Sequence, residues 1–119
     1  MSTNYDEMSD FEVNKKVAGI FLPCDYLFDE ASKRVELANY QDVMVGDIHD
    51  QVLMPYREFN PCKDPSDAWP LIIDNKISLY NHMGYESWEA TCRGAASKSK
   101  NPLRAAMVCF LKLTDATND

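Results

Sequence analysis

Two kinds of side chain in this 119-residue sequence suit ligand chemistry, the indoles and a few cations near candidate helix starts. Trp69 lies between Asp67 and Pro70 in the segment FNPCKDPSDAWPLIIDN, 59–75, whose backbone is stiffened by Pro61, Pro65 and Pro70. A rigid indole beside a strand carrying Trp88 would make a stacking platform for a nucleobase. Arg104 follows Asn101-Pro102, in the first turn of an expected helix, where unpaired amides and the helix dipole favour a phosphate-like anion. Arg93, with Lys98 and Lys100 beyond it, concentrates positive charge in the C-terminal half. Trp69, Trp88, Arg93 and Arg104, with the neighbouring Asp67 and Asn101, are therefore the candidate ligand-binding residues. Each also has a plain structural reading. Trp69 would anchor a short helix to the core, Arg104 would pair with Asp64 or Asp67, Asn101 would cap its helix, and the loop cations would be solvated.

Metal and nucleophile chemistry find less support. His49 and His82 are isolated, and although Asp47 and Asp50 flank the first, no H-x-x-x-H or H-E-x-x-H spacing occurs. Cys24, Cys62, Cys92 and Cys109 lack any C-x-x-C pair, so neither metal nor cofactor is expected. Cys62 beside Pro61, or Ser66 with His82, would need a geometry that no motif signals. With four glycines there is no G-x-S-x-G, Walker loop or dinucleotide fingerprint, and an enzyme is not expected, a small nucleotide-processing enzyme being the second alternative to a binding role.

Charge and composition bound the rest. Lys plus Arg is 12 against 19 for Asp plus Glu, a net charge of −7, which argues against binding duplex nucleic acid. The acidic residues are dispersed, so a DNA-mimicking carboxylate row is not indicated either. The start MSTNYDEMSD is polar and acidic, unlike a secretory signal. The longest apolar stretches, VAGIFLPC at 17–24 and LRAAMVCFLKL at 103–113, fall short of the roughly 20 residues a membrane helix needs. Reduced cysteines and a cytoplasmic setting follow as expectations.

The elements that must position these residues are legible in part. Ser9-Asp10-Phe11-Glu12 has the form of a capping box and starts a helix, which Gly19 and Pro23 end. Residues 24–57 lean to extended structure, with strand segments around a turn near Gly46, Asp47 and Asp50, although FDEASKRVELANY at 28–40 also suits a helix. Asp64 caps a helix with Pro65 at its first position, and Pro70 limits it to one turn or kinks it. ISLYNH at 77–82 and YESWEATC at 85–92 read as a hairpin about Met83-Gly84, and 94–100 as a polar loop. Asn101 caps the last helix, with Leu103, Ala106, Met107, Phe110, Leu111 and Leu113 on its apolar face, Ala105 and Lys112 opposite. The class is α+β: a small, mainly antiparallel sheet packed by a C-terminal and an N-terminal helix. One domain over 9–114 is expected, with flexible ends at 1–8 and 115–119.

Three stretches, SDFEVNKKVA at 9–18, FNPCKDPSDAWPLI at 59–72 and NPLRAAMVCFLKL at 101–113, resemble the phage NinX-like proteins, small accessory proteins of tailed bacteriophages and prophages. The resemblance covers about a third of the chain; 20–57 and 93–100 look individual. It implies a phage protein acting in the host bacterial cytoplasm and transfers no catalytic residue. Two binding roles follow as expectations, both directed at host defence or regulation. In one, the protein captures a small nucleotide signal through the indoles and arginines above. In the other, an acidic face covers a host defence protein, in the manner of anti-CRISPR or anti-restriction inhibitors. A homo-oligomer, by default a two-fold pair, is expected in either case.

Overall fold

The computed structural model describes residues 4–81 and 86–117. Its helical frame starts from caps. The Ser9 hydroxyl accepts from the Glu12 amide at 3.2 Å, and α1 runs Asp10–Phe21. It passes through Gly19 and stops at Leu22, immediately before Pro23, so Gly19 does not end it as the sequence suggested. Packing explains the extension. Val17 and Ala18 are fully buried and the Phe21 ring stands edge-on to Phe110 at 6.4 Å, which outweighs a glycine's cost of about 1 kcal/mol within a helix.

The second helix, α2, spans Pro65–Asn75, with Asp64 Oδ1 accepting from the Ser66 amide at 2.9 Å. It continues through Pro70 beyond the single turn that proline could have imposed. Leu71 and Ile72, just past the proline, are both buried, so core packing holds a helix that has lost one ladder bond. Lys76, left-handed at φ 54°, ends it. The last helix, α3, spans Pro102–Thr117, and Asn101 Oδ1 accepts from the Leu103 amide at 2.9 Å. Residues 105–111 are buried all round, Ala105 included, where one apolar face with Ala105 outside was expected. The reason is position: α3 packs on a sheet and also against α1 and α2, so more than one side is covered.

The class is α+β, but the strands form two three-stranded antiparallel sheets. In the first, β1 (Tyr26–Asp29) pairs with β2 (Arg34–Val45), which pairs with β3 (Ile48–Phe59). The extended reading of 24–57 holds, and the turn is Gly46-Asp47, with Gly46 at φ 64° as a two-residue hairpin loop requires at its first position. In the second, β4 (Ser78–Asn81) pairs with β5 (Trp88–Cys92) as the hairpin reading expected; His82 and the Met83-Gly84 turn lie outside the described residues. Residues 94–100 are not a loop, since Ala95–Ser99 forms a third strand, β6, against β5. Arg93 at φ 46° and Gly94 at φ 92° make the tight turn that returns the chain. This second sheet carries α3 on one face.

Two features depart from a rounded domain. Tyr5–Glu7 forms a short 3-10 turn with Tyr5 buried, so the expected fraying of 1–8 does not extend to Tyr5. More conspicuously, β1 pairs with β2 only as far as Leu37, leaving the outer parts of β2 and β3 as a two-stranded arm. The molecule measures 64 × 32 × 25 Å.

Candidate functional site

The two Asn-Pro steps meet at the centre of the structure. Pro61 and Cys62 are fully buried, and three side chains satisfy the backbone around them. Asn14 of α1 accepts from the Cys62 amide at 3.2 Å and donates to Asn60 Oδ1 at 2.8 Å. Asn101, while capping α3, donates to the Cys62 carbonyl at 2.6 Å. Asp67 of α2 accepts from the Asn60 amide at 2.9 Å and from Arg57 at 2.8 Å, the latter an ion pair. The segment 60–67 thus ties α1, α2 and α3 together, and both Asn101 and Asp67 serve that junction.

The junction also brings the 61–70 segment to the start of α3, the packing a Trp69–Arg104 site would require. The two side chains nevertheless go separate ways. Arg104 donates to Asp10 Oδ1 at 2.6 Å and to the carbonyls of Tyr5 and Met8, so its partner is Asp10 rather than Asp64 or Asp67. It clasps the N-terminal segment to α3. Trp69 is 58% exposed, with Ile73 exposed one turn on, so the indole does not anchor α2 to the core. Trp88 is half-buried on β5, opposite Asn81 and Ser99. Among the described residues the ring pairs are Phe21–Phe110 and Tyr26–Phe28, and no Trp69–Trp88 platform forms. Arg93 occupies its turn and reaches the Asn75 carbonyl at 3.4 Å, while Lys98 is exposed on β6 and Lys100 just beyond it.

A different set of cations converges near the start of α1. A groove of about 500 Å³ lies between the start of α1, the β1–β2 turn and Lys63. Lys15, Lys33 and Lys63 line it with the carboxylates of Asp10, Glu12 and Glu30, and the Phe11 ring forms part of its wall. Lys15 pairs with Glu30 at 3.0 Å, and its ammonium lies 4.9 Å from the Phe11 centroid. Lys33, held at φ 58° in the turn, places its ammonium 5.6 Å from the same ring. Among the described residues neither Lys33 nor Lys63 has a carboxylate partner. The groove's size falls within the range of small-ligand sites, and its free cations suit an anion. Only the capping box at Ser9 marked this place in the sequence; the lysines come from three segments joined by the fold.

The thiols do not extend this chemistry. Burial, with Asp10 adding to it, pushes the Cys62 thiol up to about 12, so it is protonated at neutral pH and a poor nucleophile. Burial likewise raises Cys109 to about 11; Cys24 is exposed, and all four are free. No group of three His, Cys, Asp or Glu among the described residues could hold a metal ion.

The family model described as Bacteriophage P22, NinX matches residues 4–113. The chain belongs to this phage NinX family. The match spans 20–57 and 93–100 as well, the stretches that looked individual in the sequence. No curated protein and no solved structure matches the chain. For a NinX-family protein the groove and the exposed α2 face are the places where a function can be sought, since the motif residues Asp67, Asn101 and Arg104 hold the fold. Among the described residues, no helix is long and apolar enough to cross a membrane.

Proposed function

We propose that this NinX-family protein is a phage accessory protein that acts by binding, without catalysis, in the host cytoplasm, and that it sequesters a small nucleotide-type signal of host defence. The observation that carries the reading is the pair of lysines, Lys33 and Lys63, facing a groove of about 500 Å³ without carboxylate partners of their own among the described residues. An anion between them gains two charge-assisted contacts. This places the phosphate contact away from Arg104, which the fold already uses.

The test starts with the purified protein: native mass spectrometry and absorbance near 260 nm reveal a carried nucleotide, and calorimetry against a panel of cyclic and linear nucleotides measures affinity. Recovery of the ligand unaltered supports sequestration. Recovery of a cleaved nucleotide makes the protein an enzyme and overturns the binding-only reading.

A second reading rests on Trp69 and Ile73, exposed one turn apart on α2. Such a pair suits contact with another protein, so covering a host defence complex is the alternative. Ligand-free protein that captures one host complex, and loses it on Trp69→Ala, would favour this role over sequestration.

A further inference from the structure

The arm is the largest feature that neither the groove nor the junction explains. Beyond Leu37 the outer edge of β2 has no partner in β1, and β3 pairs only with β2, so both edges of the arm are open among the described residues. A two-stranded ribbon without a covered face is marginally stable in water. Side chains opposite one another share a face, and both faces here are rich in apolar groups. Val45 and Ile48 lie on one, 70% and 68% exposed, with Val52 and Met54; Tyr40 and Met44 lie on the other.

The size of the exposure points to the partner. A compact chain of 119 residues has a radius of gyration of about 13.5 Å, whereas this one has 16.9 Å. A compact 13.6 kDa monomer exposes roughly 6,600 Å²; this chain exposes 7672 Å², about 1,100 Å² more. Each partner in a stable pair buries about 800 Å². The excess is large enough to supply one protomer's share of a two-fold dimer interface. The β2 edge over 39–45, NYQDVMV, also lacks the lysine, proline or glycine that blunts an open edge, whereas β3 carries Pro55.

We propose that two copies of this chain associate through their β2–β3 arms, the free β2 edge of one pairing antiparallel with that of the other about a two-fold axis. The strand hydrogen bonds of the arm are completed by the partner, and Tyr40, Met44 and Val45 on the paired β2 edge gain cross-strand neighbours from it. Between Arg34 and Arg57 the chain has no Lys or Arg, while Asp42, Asp47 and Asp50 lie on the arm. The two arms carry like charge, so salt strengthens the pairing.

Sedimentation equilibrium tests this independently of any ligand. The full chain is expected at twice 13.6 kDa, with the dimer tighter in high salt. In a shortened-arm variant, Asn39 and Met54, which face each other in the same pairing type as the Val45–Ile48 pair that flanks the native turn, are joined by Asn-Gly. It should be monomeric with unchanged far-ultraviolet circular dichroism of its helices. Met44→Glu stands opposite His49 and leaves the arm its own pairing; it should weaken the dimer tenfold or more. A wild-type chain that stays monomeric at concentrations up to about 100 μM, or a dimer that persists in both variants, overturns the proposal.

Discussion

Arg104→Ala tests whether this arginine builds the fold or awaits a ligand. The side chain is 17% exposed and donates three hydrogen bonds, to Asp10 and to the carbonyls of Tyr5 and Met8. Charge-assisted bonds are worth about 1.5–3 kcal/mol each when taken singly, and partial exposure of Asp10 and lack of additivity reduce their sum. A loss of about 2–4 kcal/mol is expected, a large share of the 5–15 kcal/mol typical of a domain. With a urea slope of about 1.5 kcal/mol per molar, the midpoint should fall by roughly 1.3–2.7 M. Asp10→Ala removes one of the three bonds and should cost about 1 kcal/mol. Because both substitutions break the same ion pair, the double variant should lose less than the two single losses added together. A midpoint unchanged within about 0.5 kcal/mol of stability, the range of surface substitutions, would refute the clasp.

Phe110→Ala should destabilise the fold by about 3–5 kcal/mol, since the ring is 6% exposed and packs edge-on against Phe21; denaturant unfolding reads this, and a loss below about 1 kcal/mol would put the ring outside the core. At pH 8 a thiol reagent should label Cys24 at once and Cys62 and Cys109 only on unfolding, because burial holds the latter two protonated. Rapid native labelling of Cys62 would contradict its burial. The same shifts make stability depend on alkali: a thiol raised from 9.0 to about 12 favours the folded state fully below pH 9. That contribution is lost as pH rises toward 12, so the urea midpoint should fall above pH 9, less steeply in Cys62→Ala if that variant folds.

The local signals in the sequence describe the helix starts well, because caps are short-range chemistry. Ser9, Asp64 and Asn101 each accept from an amide two or three residues on. Helix ends and faces were less legible, since they depend on neighbours. Gly19 stays helical because Val17, Ala18 and Phe21 are packed, and Ala105 is buried because α3 is covered on several sides. Residues 94–100 look polar yet form a strand, since Ser97 faces inward and Lys98 outward across a tight Arg93-Gly94 turn. For the candidate site, the segments that drew attention in the sequence are ones the fold joins through their polar side chains. Asn101, Asp67 and Arg104 are polar side chains near helix starts, as a phosphate site would have, but they bind Cys62, Arg57 and Asp10. Lys33 and Lys63, thirty residues apart, converge only through tertiary packing.

Calorimetry of wild type against Lys33→Glu/Lys63→Glu with the nucleotide panel decides whether the groove binds a phosphate-bearing ligand. Both lysines are at the surface, so the double variant should keep the wild-type unfolding midpoint within about 1 kcal/mol. It should bind the nucleotide at least tenfold more weakly, and the wild-type affinity should fall with salt as a charge-assisted contact requires. Wild-type binding that survives the double reversal unchanged, or no binding of any phosphate-bearing ligand by the wild type at high micromolar concentration, would contradict binding there.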